Sequence, residues 1–300
     1  MTVDIACLGT PFLDISLLGL RELPAPGAEV FGTDLRTAPG GVAIIALVAR
    51  RLGASVTIVS PIASDWIGRV LAEMLAQEDI GWEGPPAPRG ALSVALGAEV
   101  DRAMASFAPP SQMLAGSAVK IDARVQVVDL DDIRGAPAGV PTYVVTGDLD
   151  TTGMVDLSSS RLREARALLL SQREAHQLTG ERDPREALQQ LAQRVRTVVL
   201  TLGAGGALAI EDGIEVHVPA PAVKVASTLG AGDSLAGAYV VGDLEEMPLR
   251  QRVQFAVTCA SMVVRATSVL EGVPTRAMLE HELQRVQPDP GSHTREGRTA

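Results

Sequence analysis

The chain has 300 residues, of which 46% are hydrophobic, and this is enough apolar material for one large α/β domain or for two smaller domains. Its formal net charge of −10 argues against a surface that binds nucleic acid or anionic membranes. It contains only two cysteines, Cys7 and Cys259, which exclude a disulfide framework and a four-cysteine zinc site.

Strands and helices alternate along the first eighty residues. The predicted elements are a strand over 3–8, a hairpin over 16–38, a helix over 43–52, a strand over 56–59 and a helix over 66–77. This alternation predicts a mainly parallel, doubly wound sheet.

Residues 91–107 interrupt this alternation with a second hairpin, and the two hairpins together predict a small sheet beside the main one. Residues 287–300 are polar, rich in glycine and proline, and are expected to be a disordered tail. The remaining predicted elements are strands over 125–128, 143–146, 167–170 and 198–202, and helices over 185–194, 233–241, 249–267 and 275–285.

The most informative segment is Ser227–Asp233, which reads Ser-Thr-Leu-Gly-Ala-Gly-Asp between a strand-like run over 223–225 and an apolar, helix-compatible segment. Glycines at a strand-to-helix turn let backbone N–H groups converge on an anion, and the helix dipole adds positive charge there. A carboxylate at this place suits a base that takes a proton from an attacking hydroxyl while the amides hold the transferring phosphoryl group. The segment therefore indicates a kinase; the alternative is that Asp233 only caps a helix.

Other phosphate-binding and targeting signals are absent from the sequence. Neither Lys120 nor Lys224 is followed by Ser or Thr, so there is no Walker-type loop. The four histidines show no metal spacing. The first residues lack the basic and apolar regions of a signal peptide, and no apolar run approaches the length of a membrane span. We therefore expect a cytoplasmic protein.

Two long sequence stretches and four short ones occur in the order of one known family. The long ones are Gly40–Ala46 with Ala49–Gly53, and Thr228–Asp233; the short ones are Asp65-x-x-Gly68, Val100–Arg102, Arg173–Gly180 and Thr201–Gly206. On these stretches the chain resembles the ribokinase-like, PfkB-type carbohydrate kinases. The resemblance implies a single Rossmann-like, doubly wound α/β domain over residues 1–286, with a small β-sheet lid formed by about 11–38 and 90–108.

The resemblance also implies an ATP-dependent kinase that phosphorylates a hydroxyl of a small, carbohydrate-like substrate. Asp233 matches the family's base for the acceptor hydroxyl. The amides of Gly230, Ala231 and Gly232 match the anion hole, which faces the charge that develops on the transferring oxygens. The alternatives are a nucleoside kinase of the same fold and a catalytically weak relative that only binds a sugar or a nucleotide.

Four further positions match the substrate side of the family's site. Asp14 matches a residue that binds substrate hydroxyls, and a carboxylate can accept hydrogen bonds from two hydroxyls at once. Gly40 and Gly41 match positions where the backbone approaches the substrate closely. Ile45 stands where the family has a substrate-facing Asn. An apolar side chain there implies a less hydroxylated substrate, or one with an apolar portion.

The remaining matches concern the nucleotide and the metal ion. Thr201, Gly203 and Gly206 match the loop on the nucleotide side, and Ser171 takes the place of a family Asn. Glu174 matches the acidic end of a motif associated with Mg²⁺, which bridges and neutralises nucleotide phosphates. The chain contains no Asn at all, so the two substitutions do not depend on small alignment shifts.

The resemblance carries two further expectations. Ser227 stands where many relatives have an Asp that supports a monovalent cation site, so a dependence on K⁺ is doubtful. The lid hairpins of this family often pair between subunits, and a homodimer through the lid is therefore expected. No nucleic-acid or membrane partner is expected.

Overall fold

The computed structural model describes residues 2–98, 102–109, 122–147, 157 and 159–286. The predicted tail, residues 287–300, lies outside the described residues, as do Val100 and Asp101 of one family stretch. In chain order the strands are β1 (Val3–Leu8), β2 (Pro11–Leu20), β3 (Asp34–Gly41), β4 (Val56–Val59), β5 (Ile62–Ala63), β6 (Gly81–Glu83), β7 (Pro86–Ala87), β8 (Ala91–Ala98), β9 (Arg102–Phe107), β10 (Ala123–Asp129), β11 (Thr142–Val145), β12 (Ala167–Ser171), β13 (Thr197–Thr201), β14 (Ala207–Glu211) and β15 (Ile214–Val218).

The helices follow the strands in the alternation that the sequence predicts. They are α1 (Val42–Arg51), α2 (Trp66–Gln77), α3 (Ser160–Arg163), α4 (Gln172–Thr179), α5 (Pro184–Ala192), α6 (Ala231–Leu244), α7 (Leu249–Val263), α8 (Val269–Gly272) and α9 (Arg276–Val286), with short 3₁₀ turns over Leu130–Gly135 and Gly203–Gly205. Among these helices none combines the length and the apolar character that crossing a membrane would need.

A nine-stranded sheet forms the centre of the molecule, in the order β15–β14–β13–β12–β11–β10–β1–β4–β6. Neighbouring strands pair in parallel except at β14, which is antiparallel to both of its neighbours. Because β1 lies between β4 and β10, the strand order reverses there. In open α/β sheets ligands bind at such a switch point, beyond the carboxyl ends of the strands. The predicted mainly parallel, doubly wound sheet is confirmed.

The two predicted hairpins form a separate four-stranded sheet in the order β3–β2–β8–β9. Each hairpin is antiparallel within itself, and the two join through a parallel pairing of β2 with β8. We call this the small sheet. Among the two central strands, β2 follows β1 and β8 follows β6 and β7 in the chain, so the small sheet is attached beyond the carboxyl ends of β1 and β6.

Both faces of the main sheet are covered by helices. Along β1, Ile5 and Cys7 face one hydrophobic core, which includes residues of α1, α2, α6 and α7. The alternate residues Ala6 and Leu8 face a second core with residues of α3, α4 and α5. A strand that is buried on both faces reads as a continuous apolar run, which explains why β1 is visible in the sequence.

Several element boundaries differ from the sequence prediction. The helix predicted over 249–267 ends at Val263, because the next carbonyl, of Val264, accepts N–H groups from Ala226 and Ser227 at 2.7 and 3.2 Å. The strand predicted over 223–225 was wrong for the same reason, since the chain there meets the end of α7 instead of a sheet edge.

The sequence analysis missed the β14–β15 hairpin and helix α4. The hairpin turns at Asp212-Gly213, where both residues have positive φ, 50° and 81°. An Asp-Gly pair between apolar runs is a strong hairpin signal. Helix α4 starts with a capping box between Ser171 and Glu174.

A buried ionic network joins the amino ends of the strands to α6 and α7. The side chains of Arg252 and Asp243 are only 3% and 5% exposed and form an ion pair. Arg166 adds two hydrogen bonds to Asp243, of 2.8 and 2.7 Å, and Tyr143 donates a third. Arg252 also donates to Glu211 over 2.6 Å. Each buried charge is thereby paired, as burial requires.

Removing the charge of Asp243 is expected to destabilise the fold strongly. Asp243→Asn leaves Arg252 and Arg166 with one shared carboxylate, that of Glu211, instead of two, at a cost of about 3 kcal/mol. The free energy of unfolding in urea measures this loss.

A matched control is available on the surface. Asp212 accepts two hydrogen bonds from Arg196, of 2.7 and 2.6 Å, in the same bidentate way as Asp243 accepts from Arg166. The side chain of Asp212, however, is 54% exposed. Asp212→Asn is therefore expected to cost much less stability than Asp243→Asn, because water screens an exposed ion pair. Equal losses in the two variants would contradict a special role of the buried network.

Candidate active site

The amino ends of α1 and α6 meet at one place because small residues let the two helices pack closely. A Cβ at position 237 would lie 2.9 Å from the carbonyl oxygen of Ile45 and 3.0 Å from Cβ of Val48. A Cβ at position 230 would lie 2.9 Å from Ile44. Glycine at 230 and 237 therefore permits the contact that holds the predicted anion hole against α1.

The first turn of α6 has the geometry of an anion-binding turn. Gly230 is the N-cap, with φ of 71°, a left-handed conformation that favours glycine. Its carbonyl accepts the N–H of Ser234 over 2.8 Å, whereas the N–H of Ala231 has a weak bond of 3.4 Å to Thr228. Gly232 is exposed. Backbone N–H groups at a helix start attract negative charge through their partial positive charge and the helix dipole.

Asp233 lies in this first turn and lines a cavity of about 220 Å³. The same cavity is lined by Thr146, Ser171, Glu174 and Thr201, which follow or end strands β11, β12 and β13. Burial raises the pKa of Asp233 to about 7, and the charges of Asp14, Glu174 and Asp129 raise it further. A carboxyl group with a pKa near neutrality suits proton transfer at physiological pH.

Glu174 is held rigidly at the edge of this cavity. Its Oε2 accepts the N–H of Ser171 over 2.7 Å and the hydroxyl of Thr146 over 2.6 Å. Ser171 in turn accepts the N–H of Glu174 over 3.3 Å, which completes the capping box of α4. Glu174 therefore serves the helix start as well as the cavity.

The cavity chemistry fits Mg²⁺ through water better than through direct ligands. One oxygen of Glu174 already accepts two hydrogen bonds. Across the described residues no group of three or more His, Cys, Asp or Glu side chains has metal-binding geometry. Mg²⁺ usually keeps several waters and takes one or two carboxylates together with substrate phosphates. Glu174 fits the role of an outer, water-mediated ligand.

Asp14 lies on β2 of the small sheet and is buried. It sits directly over Gly40 of β3, where a Cβ would lie only 2.2 Å from its Oδ1. Ser93 on β8 lies opposite Asp14 in the parallel ladder, and its hydroxyl lowers the pKa of the Asp14 carboxyl group. Burial raises the pKa of Asp14 to about 6. Gly40 thus has a second use beyond the predicted close approach: it makes room for Asp14.

Asp129 is a site residue that the sequence analysis missed. It ends β10, next to β1 at the switch point of the sheet, and its charge acts on Asp233. Its two oxygens accept the N–H groups of Asp131 and Gly147, at 3.0 and 2.9 Å. Burial raises its pKa to about 6. In the sequence, Asp129 could have been found as a carboxylate that directly follows the strand predicted over 125–128.

A larger cavity of about 480 Å³ lies beside the first, and it contains the predicted nucleotide-side residues Thr201, Gly203 and Gly206. Its other walls are mostly apolar and come from residues 220–225 and from α7. Thr201 and Gly232 line both cavities. A molecule with an apolar ring in the larger cavity could therefore extend a charged group past Gly232 to Asp233.

Three predicted positions differ in placement from the other site residues. Ile45 is 1% exposed, belongs to the main hydrophobic core and lines none of the cavities described above. Ser171 lines the smaller cavity with Asp233, and it lies outside the larger one with the nucleotide-side loop. Gly41 has φ of 57° and is the N-cap of α1. The smaller cavity thus brings together five predicted residues, Asp233, Gly232, Thr201, Ser171 and Glu174. Ile45 lies outside it.

The known proteins that this chain resembles in sequence are carbohydrate kinases. The model of the pfkB family carbohydrate kinases matches residues 139–276. Ribokinase of Mus musculus is 26% identical over 296 residues, which cover 90% of this chain and 91% of the relative. A 1-phosphofructokinase of Vibrio cholerae is 30% identical over 119 residues, which cover 39% of this chain and 37% of the relative.

Solved structures share the fold over nearly the whole chain. Arabidopsis thaliana ribokinase complexed with ribose and ATP has a TM-score of 0.79 at 20% identity, covering 95% of this chain and 99% of that chain. A putative ribokinase II of E. coli in complex with ATP and Mg²⁺ has a TM-score of 0.77 at 18% identity, covering 94% and 99%. The predicted Rossmann-like fold with a small second sheet is confirmed.

Proposed function

Since the chain is a relative of the ribokinase-like, PfkB-type carbohydrate kinases, we propose that it transfers the γ-phosphoryl group of ATP to a hydroxyl of a small, carbohydrate-like substrate. One observation carries the proposal. Asp233 and the glycine turn before it lie where a cavity of about 220 Å³ meets one of about 480 Å³. A base and an anion-binding turn at the junction of two cavities suit phosphoryl transfer between two bound molecules.

The acceptor would bind beside the small sheet. The buried carboxylate of Asp14 is placed to accept hydrogen bonds from substrate hydroxyls, and Asp129 offers a second acceptor from the main sheet. Asp233 would take the proton of the attacking hydroxyl. Closure of the small sheet over the acceptor would exclude water, which is the competing acceptor.

The donor would occupy the larger cavity, with its phosphates at Gly232. The amides of Gly230, Ala231 and Gly232 would stabilise the charge on the transferring oxygens. Mg²⁺, held through water near Glu174, would bridge and neutralise the phosphates. The structures of a family member with ribose and ATP and of another with ATP and Mg²⁺ support this choice of donor and metal.

Replacement of Asp233 is expected to abolish turnover. Asp233→Asn removes the base but keeps the shape, so the rate should fall about 10²–10⁴-fold. The measurement is substrate-dependent release of ADP from MgATP with D-ribose, D-fructose, fructose 1-phosphate, fructose 6-phosphate and adenosine.

In the wild type, kcat/KM should fall about tenfold per pH unit below about pH 7, because protonation of Asp233 removes the base.

The surface variant Asp212→Asn serves as the matched control and should keep wild-type turnover. Turnover with adenosine alone would identify the nucleoside kinase alternative. Tight binding of a panel member without ADP release in the wild type would contradict the kinase proposal and identify the weak, ligand-binding relative. Unchanged turnover in Asp233→Asn would refute the proposed base.

We expect K⁺ to have little effect on this activity. Ser227 carries no charge, and its hydroxyl accepts the N–H of Leu229 over 3.2 Å, so it stabilises a turn. Rates in potassium chloride and in tetramethylammonium chloride should agree within about twofold, because a neutral oxygen holds a cation more weakly than a carboxylate. Ser227→Asp is the informative partner variant. A strong potassium stimulation in the wild type would contradict the expectation.

We further propose that two copies of the chain associate through the small sheet. Residues that pair across its strands share a face, and Ile15, Leu17, Leu35, Val94 and Leu96 share the face opposite Asp14. All five are apolar and at least partly exposed, and Leu35 is 55% exposed. A contiguous apolar face of this kind is typical of an interaction surface. A second copy offers the same face and could cover it symmetrically.

Charge on this face is expected to separate the dimer. The double variant Leu35→Glu with Val94→Glu would desolvate carboxylates in the interface, so it should sediment as a monomer while the wild type sediments as a dimer. Met278→Glu is the control, since Met278 is 53% exposed on α9, far along the chain from the small sheet. A monomeric wild type would overturn the dimer.

A further inference from the structure

Asp65 joins the start of α2 to the start of a strand of the small sheet. It is the N-cap of α2, and its Oδ1 accepts the N–H of Gly68 over 3.0 Å. Its other oxygen, Oδ2, accepts the N–H of Gly90 over 3.1 Å. Gly90 directly precedes β8, which starts at Ala91. One carboxylate therefore holds two segments that lie 25 residues apart in the chain.

The backbone around Asp65 is packed too closely for side chains at the two glycines. A Cβ at position 68 would lie 2.1 Å from the carbonyl oxygen of Ala63, and one at position 90 would lie 2.7 Å from Ile67. Just before Gly90, Ala87 accepts the N–H of Ser64 over 2.9 Å. The entry to β8 is thus fixed against α2 over several residues, and Asp65 supplies the only carboxylate among these contacts.

Strand β8 runs from this fixed point to the candidate substrate site, where it pairs with the strand that holds Asp14. Ser93 lies three residues after Gly90 and directly opposite Asp14 in the parallel ladder, where its hydroxyl lowers the pKa of the Asp14 carboxyl group. The hydroxyl of Ser93 also lies 2.9 Å from that of Ser106 on β9. A shift of β8 relative to β2 would therefore change the hydrogen bonding of Asp14 directly.

We propose that Asp65 is a positioning residue for acceptor binding: by tying Gly90 to the start of α2, it holds β8 where Ser93 orients Asp14. The functional part of this inference rests on the proposed kinase activity. Position 65 needs a carboxylate because its two oxygens accept hydrogen bonds from the N–H groups of Gly68 and Gly90, which lie in different directions. A Ser at the same place can cap α2, since Ser is an equally good N-cap, but it cannot reach both groups.

The variant Asp65→Ser separates these two uses, and hydrogen–deuterium exchange without any ligand gives the first readout. Amides of residues 92–96 should exchange about tenfold faster, because a lost hydrogen bond to a charged group costs 1.5 kcal/mol or more. Amides of residues 71–77 in α2 should keep their protection. Asp183→Ser is the matched control, because Asp183 caps α5 through the N–H groups of Arg185 and Glu186 and has no described bond to the small sheet.

Steady-state kinetics gives the second readout, with MgATP and the panel sugar that turns over fastest. Asp65→Ser should raise the KM of that sugar about fivefold or more with kcat changed less than about twofold, since the base and the anion-binding turn on α6 are untouched. Asp183→Ser should change neither. Unaltered exchange in β8, or a loss confined to kcat, would overturn the proposal. If no panel sugar is phosphorylated, the kinase proposal fails, while the exchange experiment still decides whether Asp65 fixes β8.

Discussion

Repulsion between like charges is the constraint on which the candidate site depends. The fold holds Asp14, Asp129 and Glu174 close enough to Asp233 for their three charges to raise its pKa, in addition to the effect of burial. Groups that repel one another do not assemble unless the surrounding structure forces them to. Here the close packing of α1 on α6 and the position of Asp14 directly over Gly40 hold these carboxylates near one another. Burial and this repulsion together raise the pKa of Asp233 to about 7, which makes its carboxylate a useful base near neutral pH.

Charged side chains have different partners at the two ends of the main sheet. At the amino ends of the strands, buried Arg252 and partly buried Arg166 are paired with Asp243 and Glu211. At the carboxyl ends, the described carboxylates are held mainly by backbone N–H groups and hydroxyls, as at Asp129 and Glu174. A network of paired charges stabilises one end, while the other end retains negative charge that a metal ion and polar substrates can use. This division agrees with the rule that α/β sheets bind ligands at the carboxyl ends of their strands.

Much of the fold could be predicted from the sequence, because buried parallel strands and amphipathic helices leave regular patterns. Helix α2 was predicted with its observed ends, Trp66 and Gln77. The site was partly predictable, since glycine turns and Asp233 follow one another in the chain. Asp129 was missed because its role depends on β10 lying beside β1, which is a tertiary fact. Ile45 shows the limit of the resemblance: its family position predicts the substrate side of the site, whereas the apolar side chain is buried in the core.

The seat of Asp14 over Gly40 also bears on how such a chain can diverge. Any larger residue at position 40 would collide with the carboxylate, so that position stays closed to mutation for as long as Asp14 is retained. Exchange of Asp14 for a smaller residue must come first, and only then is position 40 free to vary. The historical order of substitutions at this pair is therefore set by sterics, and lineages that altered both positions should carry the change at 14 before the change at 40.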